Sequence, residues 1–185
     1  MKSMRWILPG LALAALLGNG CILLSGQIEA HFDLASPITI NPPATPFYIE
    51  HVDLNTIKEY SDNVDKLKGL SDIAIVGKFK NLTGPAGSME IWIAPGTPPD
   101  PANLIALKAG ATLLWGPGSI GAAPAEHDVN WNESSKLFST VGKAVLIDQL
   151  KHGGKFTFYI LSNGQAGNTF EVDQGAIIIV IAAGA

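Results

Sequence analysis

Residues 27–34, QIEAHFDL, alternate without a break: Ile28, Ala30, Phe32 and Leu34 fall on one side, and Gln27, Glu29, His31 and Asp33 on the other. A period of two is the pleat of a strand with one face in a core and one in water. Short apolar or alternating runs recur along the chain, separated by glycine and proline, of which there are 20 and 12. Such punctuation leaves little room for long helices and directs the chain toward many strands joined by turns.

The runs TPFYIEHVDL, SDIAIVGKFKNL, SMEIWIAP, GATLLWG and KFTFYIL read as further strands, with the second and third joined through TGPAG as a hairpin. Ile177–Ile181 reads as a strand buried on both faces. DLNTIKEYSDNVDKLKG predicts a short helix or irregular turn, capped by Asp53 or Asn55 and stopped by Gly69. Leu137, Val141, Ala144 and Val145 lie at helical spacing within residues 133–152, before the stop at Gly153 and Gly154, though KAVLI also suits a strand. PGTPPDPANL and PGSIGAAPAEHD read as loops, and SPITINPPATP, residues 36–46, is the nearest thing to a linker. The expected fold is mainly β: an antiparallel β-sandwich, Ig-like or jelly-roll-like, with one or two short helices. A single domain over residues 27–185 is long enough to enclose a substantial core.

The chain has one cysteine, Cys21, and so no disulfide of its own. Upstream, Lys2 and Arg5 precede the uncharged run WILPGLALAALLG, the layout of a secretory signal. Three readings follow: an ordinary cleaved signal, a retained membrane helix over Trp6 to Leu24, or a lipoprotein signal. Pro9, Gly10, Gly18, Asn19 and Gly20 all interrupt the helix reading. LGNGC resembles the box that ends the signal of bacterial lipoproteins, matching at Gly20 and Cys21. Leu17 stands one place further out than the usual leucine, and Gly18 and Asn19 depart from the pattern. The resemblance covers residues 1–21. It implies a signal peptide over 1–20, diacylglycerol on the Cys21 sulfur, often further acylation (palmitate) of the new amino group, and a short anchored tether over 21–26. It also implies an outer-membrane destination in enteric-type bacteria, because Ile22 rather than aspartate follows the cysteine. Two or three acyl chains hold a protein on a bilayer, where one holds it marginally.

Without residues 1–20 the chain keeps 10 of its 12 basic and all 16 acidic residues, a formal charge of −6. That balance argues against nucleic acid as a partner and against electrostatic attachment to anionic lipid.

Few residues form a set with recognisable chemistry. GPGSIG, residues 116–121, has dinucleotide-loop spacing but opens no helical pattern, and reads as a turn between strands. Ser119 within it lacks the glycine that a nucleophile elbow needs two residues earlier. His31 with Asp33, and His127 with Asp128, form half of a metal site if folding joins them. Asp62, Asn63 and Asp65 are calcium-type oxygen donors, interrupted by Val64 and Lys66. Asp128, Asn130 and Glu133 surround Trp131 in a similar way. Trp92, Trp115 and Trp131 are candidates for stacking on sugar rings, with packing as the alternative. No cofactor is implied.

Three functions remain in contention. The first is a non-enzymatic structural or protein-interaction module, held to the membrane through Cys21 and binding another envelope protein. The second is a module that binds polysaccharide or calcium through the tryptophans or the Asp/Asn loops. The third is a hydrolase assembled from distant residues such as Ser119, His127 and Asp128.

Overall fold

A computed structural model describes residues 21–24, 27–34, 37–162 and 166–183. The expected signal peptide over 1–20 lies outside the described residues.

The chain forms two antiparallel sheets packed face to face. The larger takes β1 (Cys21–Leu24), β2 (Gln27–Asp33), β10 (Thr169–Ala183), β5 (Leu67–Thr83) and β8 (Ala125–Val129) in that order, with β3 (Ile38–Ile40) also on β10. The smaller runs β4 (Phe47–Asp53), β9 (Lys155–Ser162), β6 (Gly87–Pro95), β7 (Thr112–Ile120). Between them lies one apolar core. Ile28, Ala30, Ile73, Ile75, Ile177 and Ile179 come from the larger sheet, and Ile91, Ile93, Phe156, Phe158 and Ile160 from the smaller. The alternation in β2 is realised as predicted, with Ile28, Ala30 and Phe32 inward. This is an antiparallel β-sandwich.

The chain repeatedly crosses between the sheets, which periodicity could not reveal. β5 and β6 are not a hairpin: they belong to different sheets, and TGPAG is the arch between them. The buried amide of Asn81 donates to Pro85 O and to Gly121 O, both at 2.8 Å, and so ties this arch to the one joining β7 to β8. Gly84 turns there at φ +95°, and a Cβ on it would meet the Asn168 amide.

Other expectations also change. Ile38 and Ile40 of the supposed linker are buried and pair with β10, because two inward isoleucines recover more by burial than the flanking prolines cost in pairing. Gly69 ends no helix but lies inside β5. The segment before it is a 3-10 turn at 54–56 capped by Asp53, a single turn α1 (Lys58–Ser61), and a second 3-10 turn at 64–66. Cys21–Leu24, of the expected tether, is an extended edge strand antiparallel to β2, with Cys21 opposite Ala30. The residues of the supposed loop PGSIGAAPAEHD supply the end of β7 and most of β8. GPGSIG therefore begins in a strand rather than forming a turn. Gly118 makes that possible, since a Cβ there would lie 2.5 Å from the Trp115 ring.

Residues 133–152 do contain a helix, α4 (Thr140–His152), but it starts at the Ser139 cap. A one-turn α3 (Trp131–Ser134) and a 3-10 turn at 135–137 precede it. Gly142, Leu146 and Leu150 are its buried residues, whereas Val141 is 67 % exposed. Ile178 and Val180 are only half-buried, so the β10 run is enclosed on its inner face alone. β9 is the strand covered on both sides: Tyr159 and Leu161 pack outward under α2 (Leu104–Gly110), which is N-capped by Asn103.

Candidate functional site

The outer face of the smaller sheet is covered by a proline-rich strap and a helix. Register places Ile49, Tyr159, Trp92 and Leu113 in one cross-strand row, and His51, Thr157 and Ala94 in the next. Over these rows lies the strap 96–103, GTPPDPAN, followed by α2, whose Leu107 is buried against them. Three prolines remove backbone donors from the strap and favour an extended course. Beneath it is a cavity of about 310 Å³ lined by Pro98, Pro99, Asp100, Pro101, Leu107 and Tyr159. On the other side of Ala102, a more open cleft of about 610 Å³ runs between the turn 41–46 and the start of α2. Its walls are Pro42, Pro43, Pro46, Phe47, Leu104 and Ile105, and Ile105 stands 83 % exposed on its rim. The turn is closed by paired backbone bonds between Asn41 and Thr45.

Polar groups meet at one corner. His51 Nδ1 is 2.8 Å from Thr157 Oγ1, and its Nε2 is 3.7 Å from Asp100 Oδ1. This acid–imidazole–hydroxyl string resembles a nucleophile relay, but the proton inventory opposes that use. Thr157 is fully buried and its hydroxyl donates to Gly96 O at 2.9 Å. A hydroxyl has one proton, so Thr157 accepts from His51 and has no proton to surrender to it. Tyr159 beside the cavity has its phenol pushed above the ordinary range, chiefly by burial and then by Asp100. At the opposite end of the row, Trp92 Nε1 donates to Glu90, and the Lys108 ammonium lies 3.3 Å from Glu90 and 5.0 Å from the centre of the indole ring.

The predicted site residues do not converge. Trp92 faces outward, away from Ile91 and Ile93, but is half-buried beneath α2. Trp115 is fully buried, edge-on to Phe79, with its N–H on Ser134. Trp131 donates to Asp72 of the larger sheet. The three indoles thus share no face. Asp62 is taken by Lys58, and Asn63 Oδ1 accepts from Lys66 at 3.3 Å, so ammonium groups hold the oxygens that a calcium loop would need. Asp65 is exposed beside them.

His31 pairs with Asp33 at 3.0 Å on β2, while His127 pairs with Glu133 at 2.6 Å beside β8. β10 and β5 lie between those two strands. The half-sites stay apart, and no group of three metal-type ligands forms among the described residues. Asn130 spends its side chain capping α3, and Asp128 pairs in register with Lys78. Ser119 is exposed on β7 opposite Ser88, and no hydrogen bond to a histidine is found for it among the described residues.

Sequence reasoning missed the 41–46/α2 cleft and the His51–Thr157–Asp100 corner. Proline clusters at 42–46 and 98–101 were the available signal. Only the fold shows that they face one another.

No known family model matches the chain, and no curated protein does. Among solved structures, the chain is similar to one described as the structure of infectious bursal disease virus Gx strain, at 13 % identity and a TM-score of 0.28. That alignment covers 85 % of this chain and 30 % of the other, so the chain spans under a third of its length. No described helix is long and apolar enough to cross a membrane.

Proposed function

We propose that this chain is a cell-envelope lipoprotein, acylated on Cys21, whose β-sandwich binds another envelope protein rather than catalysing a reaction. The single observation that carries the interaction reading is the open apolar cleft between the 41–46 turn and α2, with Ile105 on its rim. An open apolar groove with an exposed isoleucine on its rim gives a partner somewhere to bury an apolar side chain. The Lys-Arg start and the LGNGC box support the anchor. β1 supports close seating: the backbone at Cys21 already pairs with Ala30 of β2, so no stalk separates residue 21 from the sheet. Ile22 after the cysteine favours the outer membrane where the host has one.

Two measurements test this reading. Intact mass of material from the native host is expected to show loss of residues 1–20 and added acyl chains, and Cys21→Ser is expected to retain the precursor length. A photo-crosslinking residue placed at position 105 is expected to trap a discrete envelope protein, while the same residue at Val141, also exposed but remote from the cleft, traps none. Unmodified mass defeats the anchor, and equal labelling from both positions defeats the cleft.

A further inference from the structure

The His51 corner supports a conclusion that does not depend on what the cleft binds. Thr157 gives its one proton to Gly96 O, so His51 Nδ1, 2.8 Å from the same oxygen, must be the donor in that contact. A neutral imidazole has a single N–H. Nε2 is then bare and points at Asp100 Oδ1, 3.7 Å away, so that two acceptors face one another without attraction. A second proton on the ring turns that contact into an ion pair. The fold thus occupies Nδ1 and leaves Nε2 as the ring nitrogen nearest the strap.

We infer that protonation of His51 latches the proline strap 96–103 over the cavity against Tyr159. Asp100 stands between Pro99 and Pro101, whose fixed φ angles make the strap move as a piece when its carboxylate is drawn in. The strap is otherwise tied at its ends, by Gly96 N to Lys155 O at 2.9 Å and by the Asn103 cap of α2. The other charged groups near His51 are already engaged. Asp53, on the same face of β4, pairs with Lys155 of β9 at 3.0 Å, and the Lys108 ammonium of α2 lies on Glu90 and Trp92. Thr157 and Tyr159 are the remaining polar neighbours on β9. Asp100 is the carboxylate that the new charge meets.

The test uses the full chain without any ligand, so its result is separate from that of the crosslinking. Amide hydrogen exchange at Thr97, Asp100 and Ala102, corrected for the intrinsic effect of pH, is compared at about pH 8 and pH 5, the range in which histidine changes charge. The expected result is protection that rises about two- to five-fold on acidification, the size an exposed ion pair supplies. In Asp100→Asn, whose side chain is largely exposed and whose fold is therefore undisturbed, the rise disappears. Nitrogen shifts of His51 are expected to show the Nδ1–H tautomer at high pH in both proteins. Protection independent of pH, an equal rise in Asp100→Asn, or an Nε2–H tautomer would each overturn the latch.

Discussion

The indole N–H of Trp115 and the hydroxyl of Ser134 meet at 3.1 Å, both fully buried. The same hydroxyl oxygen accepts from the backbone of Ile75 at 2.7 Å. β8 pairs with β5 only from Gly77 onward, so α3 takes over that edge, and Ser134 supplies the acceptor that a neighbouring strand would have given. Ser134→Ala leaves the Ile75 N–H buried without a partner. A loss of about 1–3 kcal/mol is expected, read as a lower urea midpoint at unchanged slope.

Gly142 separates two opposing effects. It sits in the first turn of α4, where alanine would ordinarily gain about 1 kcal/mol of helix propensity. Here a Cβ would lie 2.3 Å from Leu113 O and 2.5 Å from Leu114 Cα, and backbone atoms of β7 cannot step aside. Gly142→Ala is therefore expected to destabilise by about 1–3 kcal/mol. A thermal midpoint equal to or above the parent's would show that α4 can lift off the sheet freely.

Asn81→Asp removes both N–H groups that tie the arches and sets a carboxylate against two carbonyl oxygens. At neutral pH the buried, unpaired charge is expected to cost about 3–5 kcal/mol. The folded state raises the pKa of the introduced carboxyl above its unfolded value. The deficit relative to the parent is therefore smallest at acid pH and grows as pH rises through the carboxyl range. Urea titrations at about pH 4 and pH 7 measure it.

All three tyrosines have phenols held above their ordinary range, with burial as the largest cause in each. Tyr48 is pushed up to about 12 by burial and then by its 2.8 Å bond to Glu50. At about pH 10 a free phenol is half ionised. The folded protein is expected to show little phenolate absorbance there, and the urea-unfolded chain about half its maximum. Raised folded values mean stability that is intact below about pH 10 and is lost as pH rises through the native range. Glu50→Gln should lower the Tyr48 midpoint without restoring the free value, because burial remains.

On the larger sheet, Lys80 is raised to about 12 by hydrogen bonds to Glu171 and Asp173, at 2.7 and 3.1 Å. Its contribution is complete below the ordinary lysine range and lost as pH climbs through about 12. Lys80→Met is expected to lose part of the parent's alkaline decline in urea midpoint between about pH 10 and 12.

Local physics determined much of this molecule from the sequence alone. The alternation of Ile28, Ala30 and Phe32 depends on a period of two that neighbours in sequence can express, and so does the opposition of Trp92 to Ile91 and Ile93, though not which of those sides is the core. Acids, histidines and glycines in short motifs are equally visible, which is why the candidate ligands were easy to find. Whether they meet is a matter of which strands become neighbours. β5 and β6 look like a hairpin because TGPAG is a good turn, yet distant bonds, Asn168 to Pro85 O and Asn81 to Gly121 O, hold it as an arch. Val141 and Leu146 are equally apolar, and only the placement of α4 against β7 decides that the second is buried and the first exposed. The cleft beside Ile105 and the proton inventory of His51, Thr157 and Gly96 are of the same kind. They join residues up to 106 positions apart, whose proximity is set by sheet order and crossing connections rather than by any pattern along the chain.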